Sequence, residues 1–480
     1  MVGRASLIVI LGFSLVFGLA GQYWNRESDS ATENFVDYYS SSAAHNIAVG
    51  AANLACDSIF QNSADTSVIN GLSGEFPGGG NYAIRTQMQS GLYGARNVAI
   101  TAIGTCTGFE GSPVTDTIRV LLATYKFSRF AMYDSTDNDV YWTTGDTLTG
   151  PFQTDGNMYV SGVPVIKGPV TISGATYADD NGRLSQPKQT NLPDPYGDTL
   201  KANSFLSGVN VQMPQTMDYS SISSATSTIS QSNYTGSNCA YDVSLAFNSD
   251  GTVTETDTTR QYTSGMWGRG SWSVVATNSS PLSGKNTSLT SLENSNGQVV
   301  ILVPNGDVHV SGVVSGDVTV VAQQGSGSTA RASYTGKTTG AFSSTADGNV
   351  MITGDITYQD NPQTDPGSND MLGLVATNDV MLTTQPAGNI TIDAAIFARN
   401  GSFTYQGYKS TQGTTSNGNY STFAGYIDLY GSLSQKVRGA IGQTDGTGYL
   451  KDYKYDPRFA RNSPPAFPGT SQYRVISWEG

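Results

Sequence analysis

The residues that could do chemistry are few and poorly arranged for it. There are only two histidines, His45 and His309. Neither has a metal-ligand partner at helical or hairpin spacing, so both read as structural. Asp134, Asp137 and Asp139 place three carboxylates within six positions. They could hold Ca²⁺, but the EF-hand spacing and its closing Glu are absent, and a solvated turn is the better reading. Asp179 with Asp180, and Asp355 with Asp360, are the carboxylate pairs that a glycoside-cleaving enzyme would need. Trp142, Trp267 and Trp272 are the candidate sugar platforms. Yet Gly-Asp and Asp-Asp-Asn-Gly strings are ordinary turn residues. No GxSxG, P-loop or strand-to-helix GxGxxG is present. The expectation is therefore no enzyme, no catalytic residue, no cofactor and no metal.

Three cysteines, Cys56, Cys106 and Cys239, form no CxxC, so zinc and redox-motif readings fail. A Cys56–Cys106 disulfide would pin a helix to a strand; the alternative is three isolated buried thiols. Asn233, Asn278, Asn286, Asn389, Asn400 and Asn419 each open a glycosylation sequon. The 480 residues carry a net charge of −13 with 13% charged residues. A nucleic-acid partner is excluded, because no basic stripe exists to neutralise phosphates. Abundant Gly, Ser, Thr, Asn and Tyr give the composition of an extracellular, turn-rich β protein.

The element that must carry the function is the N-terminus. Residues 5–24 contain no charge, and about 20 apolar residues span a bilayer core as a helix. Leu7, Ile8, Val9, Ile10, Leu11, Phe13, Leu15, Val16, Phe17 and Leu19 supply its apolar surface. Phe35, Tyr38, Tyr39, Ala44, Ile47, Ala48, Ala51, Leu54, Ala55 and Ile59 then recur at spacings of three and four. No proline precedes Pro77. One helix over residues 1–60 is predicted, with its run from Ala5 to Ile59 about 80 Å long. Its first half is apolar all round. Its second half is one-sided, with Phe35, Tyr38, Ile47, Ala51, Leu54 and Ile59 facing a globular domain. A cleaved signal peptide or a plain membrane anchor would fit the first half, but neither needs the second.

After the helix, residues 61–132 read as a small antiparallel sheet, with a clear strand over 117–125 and a turn at 108–112. Residues 133–174 and 299–445 are short Val/Ile/Leu strands punctuated by Gly or Asn, which suits a β-helix or β-solenoid; a sandwich is the alternative. Residues 175–298 read as an inserted subdomain. It holds a Pro-rich stretch at 186–195, a short helix near Ile222, Ala225 and Ile229, and a hairpin about residues 248–251. Residues 446–480, with four prolines, read as an extended C-terminal tail ending in an edge strand near Val475. The fold class is α+β, mainly β.

At this point the chain resembles PilX-type, type IV pilin-like proteins. The resemblance is carried by residues 3–21 (GRASLIVILGFSLVFGLAG) and 38–55 (YYSSSAAHNIAVGAANLA). The stretches 141–165, 371–380, 394–403, 429–442 and 453–459 resemble the large C-terminal region, of uncharacterised function, attached to such helices in several bacterial groups. The resemblance implies a structural subunit of an extracellular pilus-like filament on the bacterial surface. It would reside in the inner membrane before assembly, and its partners would be itself and a pilus or type II secretion-like assembly machine. Two departures are plain. The first glutamate is Glu27, so the Glu near the mature N-terminus of major pilins is missing. The leader is a few residues at most: cleavage would follow Gly3, or the chain is already mature. A minor or tip subunit, or a membrane-anchored adhesin binding surface glycans or other cells, is the alternative. A β-helix carbohydrate-active enzyme is a third.

Overall fold

The structure, a computed structural model, describes residues 2–61, 69–90, 96–179, 205–207, 211, 213–214, 227–229, 239–264, 270–278, 287–304, 306–324, 348–383, 385–409, 413–414 and 420–480. The Pro-rich stretch and most of the short helix expected near Ile222 lie outside them. The chain is one long helix and a strand-rich body with antiparallel and mixed sheets, mainly β within α+β. It divides into two compact units. One comprises residues 1–91, 96–124 and 472–480; the other comprises 92–95 and 125–471.

In the first unit, α1 runs from Val2 to Gln61 without interruption. Its second half is rich in alanine, the best helix former, and holds no proline. Four strands follow: β1 (Ser73–Glu75), β2 (Asn81–Ser90), β3 (Arg96–Thr107) and β4 (Pro113–Lys126). They pair antiparallel in sequence order. The C-terminal strand Gly469–Glu479 closes the sheet as its edge beside β4. Val98, Ile100 and Ala102 of β3, and Ile118, Val120 and Leu122 of β4, are buried at period two, as one face of a pleated strand requires. The helix residues buried in the same core are Ala48, Ala51, Ala52, Ala55, Cys56 and Ile59.

The packing stripe on α1 differs from the one the periodicity predicts. Ile47, Ala51 and Ile59 are buried as expected, but Phe35 is 68%, Tyr38 76% and Leu54 46% exposed. Burial begins only at Ser40 and continues through Ala44, Ile47 and Ala48. Helix and sheet backbones come close at residues 44–48: a Cβ on Gly104 would stand 2.2 Å from the Ala44 carbonyl oxygen and 2.5 Å from the Ala48 nitrogen. Alanines and Ile47 line that contact, whereas Phe35 and Tyr38 precede the first buried helix residue, Ser40. Gly104→Val is expected to cost about 1–3 kcal/mol through overpacking. Gly12→Ala, with nothing within 4 Å of its Cβ position, should instead stabilise the helix by roughly 1 kcal/mol. Urea unfolding of the two variants in detergent checks the contrast.

In the second unit, short strands pair in parallel ladders. One ladder runs through Gln298–Pro304, Asp317–Gln323, Met371–Ala376, Ile390–Ala398 and Tyr426–Val437. It then continues through Met132–Thr136, Phe152–Thr154, Val170–Ile172 and Phe205–Ser207. A second joins Cys239–Phe247, Asp307–Val314, Val350–Tyr358, Val380–Leu382 and Phe403–Tyr405. A third joins the first half of Tyr426–Val437 to Leu450–Tyr455, Thr147–Thr149 and Val165–Lys167. A separate sheet of three parallel strands holds Tyr141–Thr143, Met158–Ser161 and Thr176–Asp179.

Strands pass from one ladder to another at glycines. Gly431 has φ +155° and Gly312 φ +109°, and a Cβ there would meet the Ala394 or Phe247 carbonyl oxygen at 2.0 Å or less. Only glycine fits both demands. Antiparallel pairing is added at the end of the second ladder, where Cys239–Phe247 pairs with Thr252–Ser264 and that strand with Gly270–Asn278, with the expected turn at 248–251.

The first ladder is buried on both faces. Val299, Ile301, Val303, Val318, Val320, Leu372 and Leu374 point into one core. Val300, Leu302, Val321, Val375 and Phe397 point into a second, beneath Phe127, Phe130, Phe459 and Phe467. This is why residues 299–303 read as an unbroken apolar run rather than an alternation. The C-terminal residues are more ordered than an extended tail. Leu450–Tyr455 and Gly469–Glu479 are strands, and the proline-rich stretch between them anchors Phe459 and Phe467 in the second core.

Candidate functional site

Two places stand out, one in each unit. The first is the initial half of α1. Leu7, Ile8, Val9, Ile10, Leu11, Phe13, Leu15, Val16, Phe17 and Leu19 are between 55% and 72% exposed. An 18-residue window here has mean hydropathy 1.8, with none of it buried. Gly12, Gly18 and Gly21 have nothing within 4 Å of their Cβ positions. A helix with this surface has two physical options: a bilayer core or close bundling with other apolar helices.

Cys56 and Cys106 do not pair; both are free thiols. Cys56 lies in the helix–sheet core, where burial pushes its pKa up to about 11. Cys106 instead donates to the Ser40 carbonyl oxygen at 2.9 Å. Ser40 is sixteen residues before Cys56, roughly 24 Å away along a helix. Among helix residues near the sheet, His45 Nδ1 lies 2.6 Å from Asp116 Oδ2, and this partner draws the Asp116 pKa below its usual value. The side chain of Cys239 lies outside the described residues.

The second place is a cavity of about 750 Å³ in the second unit. Asn138, Asp139, Tyr141, Asp379, Tyr408 and Phe423 contribute to its walls. Arg438 and Lys451 also line it, and both belong to a charge cluster assembled from distant segments. The buried Arg438 donates to Asp137 Oδ2 at 3.0 Å and stacks over Trp142 at 4.4 Å. Lys451 Nζ donates to Asp146 Oδ2 at 2.8 Å and also lies over that indole, at 5.4 Å. Asp134 accepts from Gln435 Nε2 at 2.7 Å, while its other oxygen is 4.0 Å from Arg438 Nε and unbonded. Burial pushes the Asp134 carboxyl up to about 7 against the opposing pull of Arg438. Burial likewise raises Asp137 and lowers Lys451.

The acidic loop is therefore split. Asp134 and Asp137 turn inward to Arg438, and only Asp139 stays exposed. Among the described residues, no group of three or more His, Cys, Asp or Glu is placed to hold a metal ion. Trp142 is fully buried beneath two cations and cannot serve as a sugar platform; Trp267 and the side chain of Trp272 lie outside the described residues. Asp355 accepts from the Thr391 amide. The backbone of Asp360 is held by Asp370 and Ser368. Asp180 and the side chain of Asp179 lie outside the described residues.

The sequence reading missed the tyrosines. Tyr141, Tyr159 and Tyr177 occupy matching positions on three successive parallel strands. Their rings lie 5.6 Å and 4.9 Å apart, the second pair stacked at 17°. The signal was available as an aromatic recurring at an eighteen-residue interval, but only strand register turns it into a ladder.

No protein-family model matches the chain, and neither a curated protein nor a solved structure does.

Proposed function

We propose that the chain is a structural subunit of an extracellular type IV pilus-like filament. Its N-terminal helices bundle as the core, and the β-rich body forms the outer layer. The observation that carries this reading is the contrast within α1. The half beyond Ser40 is fixed to a sheet through alanines, while in the half before it the large apolar side chains from Leu7 to Leu19 are exposed and pack on no other described element. Apolar area is worth roughly 25 cal/mol per Å² removed from water. Such a helix is therefore stable in the inner membrane before assembly and in a bundle of its own copies after it. The continuous parallel ladders and glycine corners of the body support a β-solenoid, stacked coil on coil, as its finer architecture. The partners would be further copies of the chain and an inner-membrane pilus or type II secretion-like assembly machine.

The test is electron microscopy of the fraction sheared from cell surfaces, with mass spectrometry of the same sample. Regular filaments with this chain as their dominant protein are the expected result. If the chain stays in the membrane fraction and no filament contains it, the assembly reading fails and an anchored surface protein replaces it.

A further inference from the structure

The face by which α1 packs on its sheet starts before the packing does. Asp29, Glu33, Asp37, Ser40 and Ala44 follow one another at spacings of four, four, three and four, which puts them on one side of a helix. Ser40 and Ala44 are buried. Asp29, Glu33 and Asp37 are exposed, and none forms an ion pair among the described residues. Between Arg4 and Arg85 the sequence holds one cation, Arg26, a turn before Asp29. Like charges four apart weaken an isolated helix, so this row calls for a cationic surface laid against it.

The sheet carries such a surface on its other face. Ile84 of β2, Ile100 and Ala102 of β3, and Ile118 and Val120 of β4 point into the core shared with the helix. At period two, Arg85, Thr101 and Arg119 therefore point away from it. The register sets Arg85 opposite Thr101 and Thr101 opposite Arg119. The two arginines stand level, two strands or roughly 10 Å apart. Both are exposed and form no ion pair among the described residues. Along α1, Asp29 and Asp37 are about 12 Å apart. We propose that the Asp29–Glu33–Asp37 row of one copy docks on Arg85 and Arg119 of a second copy.

A second copy is the occupant because it brings the complementary charge at a matching spacing. The two surfaces cannot meet within one chain, since the arginines face away from their own helix. Guanidinium groups pair with carboxylates in a directed, two-pronged geometry. The contact joins different patches on the two copies, so it propagates from copy to copy, as a filament requires. Charge contacts of this kind set register and encounter rate. The inference rests on the filament reading and gives the filament a lateral contact outside its apolar core.

Two full-length variants test it. Arg85→Glu with Arg119→Glu should lower filament yield in the sheared fraction about tenfold or more, because like charges then face each other. The thermal unfolding midpoint of the detergent-solubilised chain should stay unchanged, since both side chains are exposed. Arg119→Lys keeps the charge and adds an amine, so filaments should form at wild-type yield. Carbodiimide treatment of those filaments should join the new amine to Asp29, Glu33 or Asp37, read by mass spectrometry as one cross-linked peptide. Position 119 faces away from its own helix, so that peptide reports a second copy. Wild-type yield from the double variant, or no coupling to any of the three carboxylates, would overturn the pairing and leave the filament reading standing. No filaments from the wild-type chain would sink the filament reading and the pairing with it.

Discussion

Leu11→Asp is expected to reduce filament yield below detection while leaving the body folded. Leu11 is 61% exposed and lies in the half of α1 that packs on no other described element, so its loss removes no contact with the folded body. In a helix bundle the same position is desolvated, and an aspartate at the centre of an apolar span costs about 2.5–3.5 kcal/mol on insertion scales. Every subunit of a filament would bear that cost, which multiplies its effect on assembly. Leu15→Asp should behave alike, and Leu11→Ala should only thin the yield. Sheared-fraction yield is the readout, with circular dichroism of the detergent-solubilised chain as the folding check. Membrane fractionation separates failed insertion from failed bundling. Wild-type yield from Leu11→Asp would eliminate the helix core.

Arg438→Ala is expected to carry the largest stability loss in the second unit. The guanidinium is fully buried, pairs with Asp137 and covers Trp142. Its removal takes the hydrogen-bonded partner from Asp137 and the nearer cation from Asp134, leaving only the more distant Lys451, and breaking a buried pair typically costs about 3–5 kcal/mol. Adding Asp134→Asn and Asp137→Asn should recover part of the loss, because it removes the orphaned charges rather than restoring the pair.

The pH dependence follows from the same groups. Burial raises Asp134 to about 7 and Asp317 and Asp393 to about 6, from 3.8. Each carboxyl binds its proton more tightly folded than unfolded. Its contribution is full below about pH 3.8 and is lost as pH rises through 6 to 7. The second unit should therefore gain stability as pH falls from 7 to 5. Lys126, pushed down to about 8 by burial, titrates mostly above that window. In Arg438→Ala the pull that lowers Asp134 is gone, so the slope between pH 7 and 5 should steepen. Urea midpoints at pH 5, 6 and 7 measure both effects. A flat wild-type profile would exclude these carboxyls as the source.

Local residue patterns fix the helix, the strand-rich character of the body and the turns at 108–112 and 248–251. Those properties are local: the absence of proline before Pro77, the three-and-four spacing in α1, and Gly or Asn between short apolar runs are written residue by residue. They do not determine which face of α1 is buried. Phe35, Tyr38 and Leu54 satisfy the helical period as well as Ala44 and Ala48 do. The Gly104 backbone approaches Ala44, Ile47 and Ala48, and Phe35 and Tyr38 lie before the buried segment begins at Ser40. The free cysteines have the same origin, because sheet placement sets Cys106 opposite Ser40 rather than Cys56. Nor is a parallel register written in any one strand. Met132 lies beside Leu433, and Asp137 meets Arg438 across 301 positions. Tertiary structure alone turned Asp134 and Asp137 from a candidate cation loop into the counter-charges of a buried arginine. It also brought three separated tyrosines into one ladder of touching rings, because parallel pairing is fixed by the burial of whole strands, and no local spacing encodes it.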